Sequence, residues 1–226
     1  MIVGLPAYNE AERLPDVLAA VARAAPGAEI AVVDDGSRDG TGDVAAKLGA
    51  KVLRHPFNLG YGSALQTLYK YALRAGAELF VQLDADGQHD PAEIRRVAEP
   101  VASGECDLAI GSRFVAKSDY RMGPVRGLGR LLFSALGRFA GVTVSDPTSG
   151  FQAMNRRVLQ VYSEPFFPPD YPDVDVLVAA TRRGIRIREV PVRMRESTRV
   201  STLHGGTRDF YYVYKMLLSL WTESRR

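Results

Sequence analysis

The stretch Leu79-Phe80-Val81-Gln82-Leu83-Asp84-Ala85-Asp86-Gly87-Gln88-His89 runs from a short apolar segment straight into two carboxylates, a glycine, an amide and an imidazole. An apolar run of this length, bounded by an Asp-Gly turn pair, reads as a strand buried on both faces. The pattern recurs upstream. Ile2–Leu5 leads into Pro6-Ala7-Tyr8-Asn9-Glu10, and Ile30–Val33 leads into Asp34-Asp35-Gly36-Ser37. Helical spacings separate the runs: Leu14/Val17/Leu18/Val21, Leu65/Leu68/Tyr69/Ala72/Leu73 and Ile94/Val97/Val101, before a further run at Leu108–Ile110. Strands alternating with helices make βα units, so the spacing predicts an α/β fold with a mostly parallel sheet covered by helices on both faces. Ligands of such sheets bind at the carboxyl ends of the strands, where the polar clusters fall.

Beyond residue 111 the rhythm loosens. An Arg-bearing helical pattern (Arg126–Phe139) is followed by the turn-rich Asp146-Pro147-Thr148-Ser149-Gly150, a Pro-rich stretch from Pro165 to Pro172 and a strand-like Ile185–Val192. No repeat or low-complexity linker divides the chain, which predicts one domain over residues 1–226. The 226 residues are 46% hydrophobic and 24% charged, a globular composition that excludes a disordered or collagen-like chain. The net charge of +3 conceals two opposed halves: residues 1–110 carry ten Lys or Arg against 16 Asp or Glu, and residues 111–226 carry 19 against ten. The halves are therefore −6 and +9. The single Cys106 excludes a disulfide framework and a Cys-rich metal site, and reads as a small buried residue of a reducing compartment. No uncharged apolar run reaches the roughly 18 residues needed to span a bilayer, and no basic leader precedes Ile2, so a cytoplasmic location is expected. The apolar, aromatic segment Phe210–Trp221 fits a membrane interface, a dimer contact or packing on the core.

Strand alternation places Asp84 and Asp86 on the same side, and two convergent carboxylates suit a hard divalent cation such as Mg²⁺ or Mn²⁺ set against a diphosphate. Gln88 adds a neutral oxygen and His89 a nitrogen. The alternative is an Asx turn that ends the strand. A carboxylate at Asp34-Asp35 suits a base N–H or a ribose hydroxyl, whereas Ser37 and Thr41 suit helix capping. The glycines of Asn58-Leu59-Gly60-Tyr61-Gly62 either bring backbone N–H groups to a ligand or permit close packing. Leu65 stands where a third glycine of G-x-G-x-x-G belongs, which argues against dinucleotide binding.

Taken together, Pro6–Glu10, Asp34–Ser37, Asn58-x-Gly60-x-Gly62, Asp84–His89, Gly111-Ser112-Arg113 and Asp146–Phe151 resemble the family 2 glycosyltransferases. The nearest resemblance is to the dolichol-phosphate mannose synthase-like, or polyprenyl-phosphate glycosyltransferase, group. Gly184-x-x-x-x-Glu189-Val190-Pro191-Val192 extends it over nearly the whole chain. The resemblance implies a GT-A fold with a Rossmann-like sheet, a GDP- or UDP-sugar donor, Mg²⁺ or Mn²⁺, and inversion at the anomeric carbon. It also implies nucleotide-sugar contacts from Pro6, Tyr8, Asn9, Glu10, Asp34, Asp35, Gly36, Asn58, Gly62, Asp84 and Ala85, with Asp84, Asp86 and Gln88 at the metal. Residues 1–110 would then form the donor half, 111–208 the acceptor half and 209–226 an interface helix.

Arginine is always charged and presents a fork that fits phosphate oxygens. Arg113, the helical pair Arg126 and Arg130, and Arg195 and Arg199 beside Ser201 therefore point to an anionic acceptor, a lipid phosphate met at a membrane surface. Arg182, Arg183, Arg186 and Arg188 read as a solvated basic face. An ionised phosphate needs positioning and charge neutralisation, from Asp86 and Arg113, whereas a sugar or protein hydroxyl needs a general base. Asp175, with Asp173 beside it, is the candidate base or sugar-orienting residue. His204-Gly205-Gly206-Thr207 is a candidate lid. A homodimer is compatible with the aromatic C-terminal segment. Nucleic acid is not expected, because the aromatic residues cluster away from the arginines.

Overall fold

The computed structural model describes residues 1–114, 144–170 and 172–193. The elements follow in the order β1 (Ile2–Ala7), α1 (Leu14–Ala24), β2 (Glu29–Asp34), α2 (Thr41–Lys47), β3 (Lys51–Arg54), α3 (Tyr61–Arg74) and β4 (Leu79–Gln82). A short 3-10 turn (Pro91–Glu93) then leads to α4 (Ile94–Ala102), β5 (Leu108–Ser112), β6 (Gln152–Asn155), α5 (Arg156–Tyr162), α6 (Val174–Arg182) and β7 (Ile187–Pro191). The strands form one seven-stranded sheet in the order β3-β2-β1-β4-β6-β5-β7. All pairings are parallel except those of β6 with β4 and β5. β6 is reversed because its chain enters the sheet from the edge at which β4 and β5 end. The order turns back on itself between β1 and β4, so a topological switch point lies between Ala7 and the end of β4.

The expected two-sided sheet is present. Neighbouring residues on each strand enter different cores: Val32, Val81, Ala109 and Ala153 pack with α1 and α4, whereas Val33, Phe80, Leu108 and Met154 pack with α3, α5 and α6. Each fully buried Leu or Phe contributes about 1.5–3 kcal/mol. Gly4 permits the closest of these contacts, since a Cβ there would lie 2.3 Å from the Phe80 ring. Two strands escape the sequence reading. Lys51–Arg54 is an edge strand with charged ends and little apolar content, and β6 is only four residues long.

At the edge opposite the polar clusters, buried Asp107 ties three strands together. It accepts hydrogen bonds from the Arg186 backbone N–H (2.9 Å), Arg186 Nε and Nη2 (both 3.1 Å) and Asn155 Nδ2 (2.9 Å). The Arg186 guanidinium beside it is the main reason that the Asp107 carboxyl is lowered to about 2. Arg183 and Arg188 pair with Glu164 and Glu105, and the Arg183 guanidinium also lies 4.2 Å from the centre of the Phe166 ring. The solvated face expected of these arginines is thus partly a set of structural ion pairs.

Candidate active site

The loops after β1 and β2 are clasped to each other. Asn9 N–H donates to Ser37 Oγ, Arg38 N–H to Asn9 Oδ1, Glu10 N–H to Thr41 Oγ1 and Ala11 N–H to Asp39 Oδ2, all at 2.9–3.0 Å. Asn9 adopts a left-handed φ of 56° to make the turn. Burial opposes the Asp39 charge, but the hydrogen bonds from Thr41 and Ala11 hold its carboxyl below the usual range. Pro6 lies within β1 and Tyr8 just beyond it, with the Tyr8 ring exposed beside the clasp, while the Glu10 carboxylate pairs with Arg13 at 3.2 Å. Asp34 Oδ1 accepts the Ser37 N–H in an Asx turn.

Three of the residues expected at the nucleotide have structural partners. Asp35 is buried and accepts hydrogen bonds from Leu59 and Gly60 N–H, while His55 bridges it at 2.6 Å to Thr67 at 2.9 Å. Gly36 has φ +73° and lies against the Phe57 backbone, where a Cβ would approach to 2.4 Å. A Cβ on Gly62 would sit 2.1 Å from the Pro168 carbonyl, and Gly62 and Ser63 donate their N–H groups to Asp170 and Pro169. The α3 N-terminus is therefore capped by the 168–170 backbone, against which Gly62 packs closely. Asn58 is exposed on the intervening loop.

β4 ends at Gln82, so Asp84, Ala85 and Asp86 lie in the following turn and not on the strand. The strand alternation expected to align the two carboxylates therefore does not apply here, and the Asp86 charge acts on Asp84 from the turn. Asp86 Oδ1 accepts the Gln88 N–H at 2.9 Å, and the Gln88 side-chain amide donates to Asp86 Oδ2. The Asx turn and the carboxylate pair thus coexist. Asp84 N–H donates to Nδ1 of His89, which is buried against Phe151. Burial, reinforced by the neighbouring Asp86 charge, raises the Asp84 carboxyl above the ordinary range, against the opposing influence of His89, Tyr61 and Arg113. Among the described residues no group of three or more His, Cys, Asp or Glu is placed to hold a metal ion by itself. Asp84 and Asp86 are both partly exposed, and a pair of carboxylates suits a magnesium-like ion that completes its shell with phosphate oxygens and water.

Sequence reasoning missed the partners of this pair. Tyr61 is 37% exposed as a residue, but its Oη donates inward to Asp84 Oδ1 at 2.8 Å, and loss of solvent around the hydroxyl together with the Asp84 charge raises the phenol above the ordinary value. Gly150 packs against both, since a Cβ there would lie 2.7 Å from Asp84 Oδ2 and 2.8 Å from Tyr61 Oη. The signal was a tyrosine at the first position of a helix behind a glycine, which pattern reading absorbs into the helix. Arg113 is gripped by buried Asp146, through Nε to Oδ2 and Nη2 to Oδ1, both at 2.8 Å. Glu189 on β7 in turn accepts Ser145 N–H (2.8 Å), Ser145 Oγ (2.9 Å) and Asp146 N–H (2.9 Å).

Asp173 lines a small cavity with Tyr61, Gln82, Thr148, Gly150 and Tyr162; its 30 Å³ is room for a water or two, not a hexose. Asp175 is buried at the start of α6, where its Oδ1 accepts the N–H groups of Asp173 and Val176. Of the two, Asp173 is nearer the carboxylate pair's side of the fold. Arg126, Arg130, Arg195, Arg199, Ser201, the His204–Thr207 stretch and the 209–226 segment lie outside the described residues.

Residues 2–163 match the family model for Glycosyl transferase family 2. Polyprenol monophosphomannose synthase of Mycolicibacterium smegmatis is 36% identical over 212 residues, which cover 86% of this chain and 77% of that protein. Undecaprenyl-phosphate mannosyltransferase of Micrococcus luteus is 33% identical over 200 residues, covering 83% and 80%. The solved structure of glucosyl-3-phosphoglycerate synthase from Mycobacterium tuberculosis in complex with Mn²⁺ and UDP-glucose superposes with a TM-score of 0.75 at 27% identity, over 96% of this chain and 78% of that one.

Proposed function

The chain belongs to glycosyl transferase family 2, and from that membership we propose that it moves a hexose from a nucleotide-diphospho-sugar to a polyprenyl phosphate, with inversion and with a divalent cation. The GT-A fold and glycosyltransferase class are the premise; donor, acceptor and metal are the proposal. The observation that carries it is the Asp84–Asp86 pair at the topological switch point. Burial and mutual repulsion raise the Asp84 carboxyl, which is the electrostatic condition that a cation relieves. The solved neighbour that binds Mn²⁺ and UDP-glucose supports the same reading.

Asp84 and Asp86 would hold the cation, with Gln88 turning its amide oxygen to it. When bound, that ion supplies neutralisation of the charge that develops on the departing nucleoside diphosphate. The clasped 8–11 and 35–41 loops offer a rigid wall for the nucleoside, with Tyr8 available to stack on the base. An acceptor phosphate oxygen attacks the anomeric carbon while the bond to the diphosphate oxygen breaks, so the electron pair leaves with the diphosphate. No proton has to be removed, because the phosphate is already ionised. Arg113, held in place by Asp146, would offer positive charge to the acceptor, together with Arg126, Arg130, Arg195 and Arg199.

The two mannosyltransferase relatives are named for polyprenol and undecaprenyl phosphate acceptors. No helix of the described residues is long and apolar enough to cross a membrane. A hydroxyl acceptor is the second reading, and the position of Asp173 beside Tyr61 and Gly150 favours Asp173 over Asp175 as its base. A thermal-shift screen of GDP- and UDP-sugars with and without Mn²⁺ tests the donor reading: stabilisation by one nucleotide class only with metal supports it, and stabilisation by neither rejects it.

A further inference from the structure

The Asp84 carboxylate ends a directional chain of hydrogen bonds that starts in the core. Tyr69 is fully buried and its hydroxyl donates to Gln82 Oε1 at 2.5 Å. Gln82 is buried on the last position of β4, and its Nε2 approaches Tyr61 Oη at 3.5 Å. Tyr61 Oη then donates to Asp84 Oδ1 at 2.8 Å. Tyr69 and Tyr61 sit eight residues apart on α3, so one helix supplies both tyrosines of the relay. The Tyr69 ring is fixed by edge-on contacts with Phe80 and Phe167 at 5.8 and 5.4 Å. The α3 N-terminus is fixed by Pro169 and Asp170, and Gly150 packs against one flank of Asp84 and Tyr61. Each donor passes to the next acceptor, and the last of them, Tyr61 Oη, is aimed at Asp84 Oδ1. Among the described residues no hydrogen-bond donor reaches Oδ2; His89 Nδ1 is 3.7 Å away and already accepts the Asp84 N–H.

We propose that Tyr61, backed by Gln82 and Tyr69, is a positioning residue that occupies Asp84 Oδ1 and so presents the divalent cation with the single oxygen Oδ2. The assignment rests on the metal reading given above. A carboxylate fixed in this way binds monodentately, which suits the smaller, octahedral Mg²⁺ or Mn²⁺ and disfavours the bidentate grip that Ca²⁺ accepts. Partners that orient a metal ligand are worth roughly 10–100-fold in metal affinity when removed. Tyr61→Phe keeps the ring and removes only the hydroxyl, so the carboxylate becomes able to rotate.

The test is Mn²⁺ binding followed by electron paramagnetic resonance in the presence of UDP or GDP, without acceptor, and with Ca²⁺ as competitor. Tyr61→Phe is expected to weaken Mn²⁺ binding roughly tenfold and to narrow the preference for Mn²⁺ over Ca²⁺, with an unchanged melting temperature in the absence of metal. Gly150→Ala, which crowds the same pair from the other side, is expected to weaken binding in the same direction. Tyr71→Phe, which removes a hydroxyl bonded to Glu29, serves as the control and is expected to bind as wild type does. A wild type that binds Mn²⁺ and a folded Tyr61→Phe that matches its affinity and its preference over Ca²⁺ would overturn the Tyr61 assignment alone. A wild type that takes up no Mn²⁺, with or without nucleotide, would overturn the metal reading and the assignment with it.

Discussion

Asp146 grips Arg113 through two parallel hydrogen bonds of 2.8 Å and also accepts the Arg113 backbone N–H at 3.1 Å. The carboxylate is buried, so the guanidinium is held in one orientation at the end of β5, close enough to Asp84 to influence its charge. Replacing Asp146 by Asn leaves a cation without its bidentate partner. The expected result is a loss of about 1–3 kcal/mol in stability and a rise of tenfold or more in the acceptor KM, measured by denaturant unfolding and steady-state kinetics. Glu189→Gln, which weakens the support of Asp146 from one layer further out, is expected to move the same two quantities by less.

The Asp107 staple predicts a specific acid sensitivity. Its carboxyl is lowered from 3.8 to about 2 in the folded chain. A carboxyl lowered by folding adds stability that is fully present above the unfolded value and is lost as pH falls through the folded one. Roughly 2 kcal/mol is therefore expected to disappear between about pH 5 and pH 2. Asp107→Asn should be less stable at neutral pH and should flatten that part of the curve, as followed by unfolding at a series of pH values.

Gly62→Ala separates packing from ligand approach at the start of α3. A methyl there meets the Pro168 carbonyl at 2.1 Å, so the 165–170 loop must shift. The expected cost is about 1–3 kcal/mol in unfolding free energy, with the donor KM of the folded enzyme within twofold of wild type. A variant of normal stability whose donor KM rises strongly would return Gly62 to the nucleotide site.

Asp39 links the loops after β1 and β2, proposed above to hold the nucleoside, through the Ala11 N–H, Thr41 N–H and Thr41 Oγ1. Asp39→Ala is expected to raise the donor KM several-fold with kcat nearly unchanged, since the clasp shapes the cleft without touching the reacting atoms. Calorimetric titration with nucleoside diphosphate gives the same comparison without turnover.

The α/β pattern was readable because buried parallel strands are near-continuous apolar runs that end in polar turns, as at Leu79–Leu83. Lys51–Arg54 and Gln152–Asn155 were not readable, because an edge strand needs little apolar surface and a short antiparallel insertion has no period of its own. The motif clusters lie in the loops that follow β1, β2 and β4, and the Asp86 charge acts on Asp84. What the one-dimensional pattern could not convey is how a side chain is spent. Asp35 is consumed by His55 and the Leu59-Gly60 backbone, and Asp175 by the start of α6, although each stands in a polar cluster. Conversely, Tyr61 and Gln82 were hidden inside a helix and a strand, because their importance arises only when α3 lies across β4.

The most direct measurement is transfer of radiolabelled hexose from its nucleotide-sugar into the organic phase, with polyprenyl phosphate or free polyprenol as acceptor. Label is expected to enter the lipid phase only with polyprenyl phosphate and Mg²⁺ or Mn²⁺, and to fall to background with a chelator or in Asp86→Ala. Equal transfer to free polyprenol, or undiminished transfer by a folded Asp86→Ala, would contradict a metal-dependent transfer to a lipid phosphate.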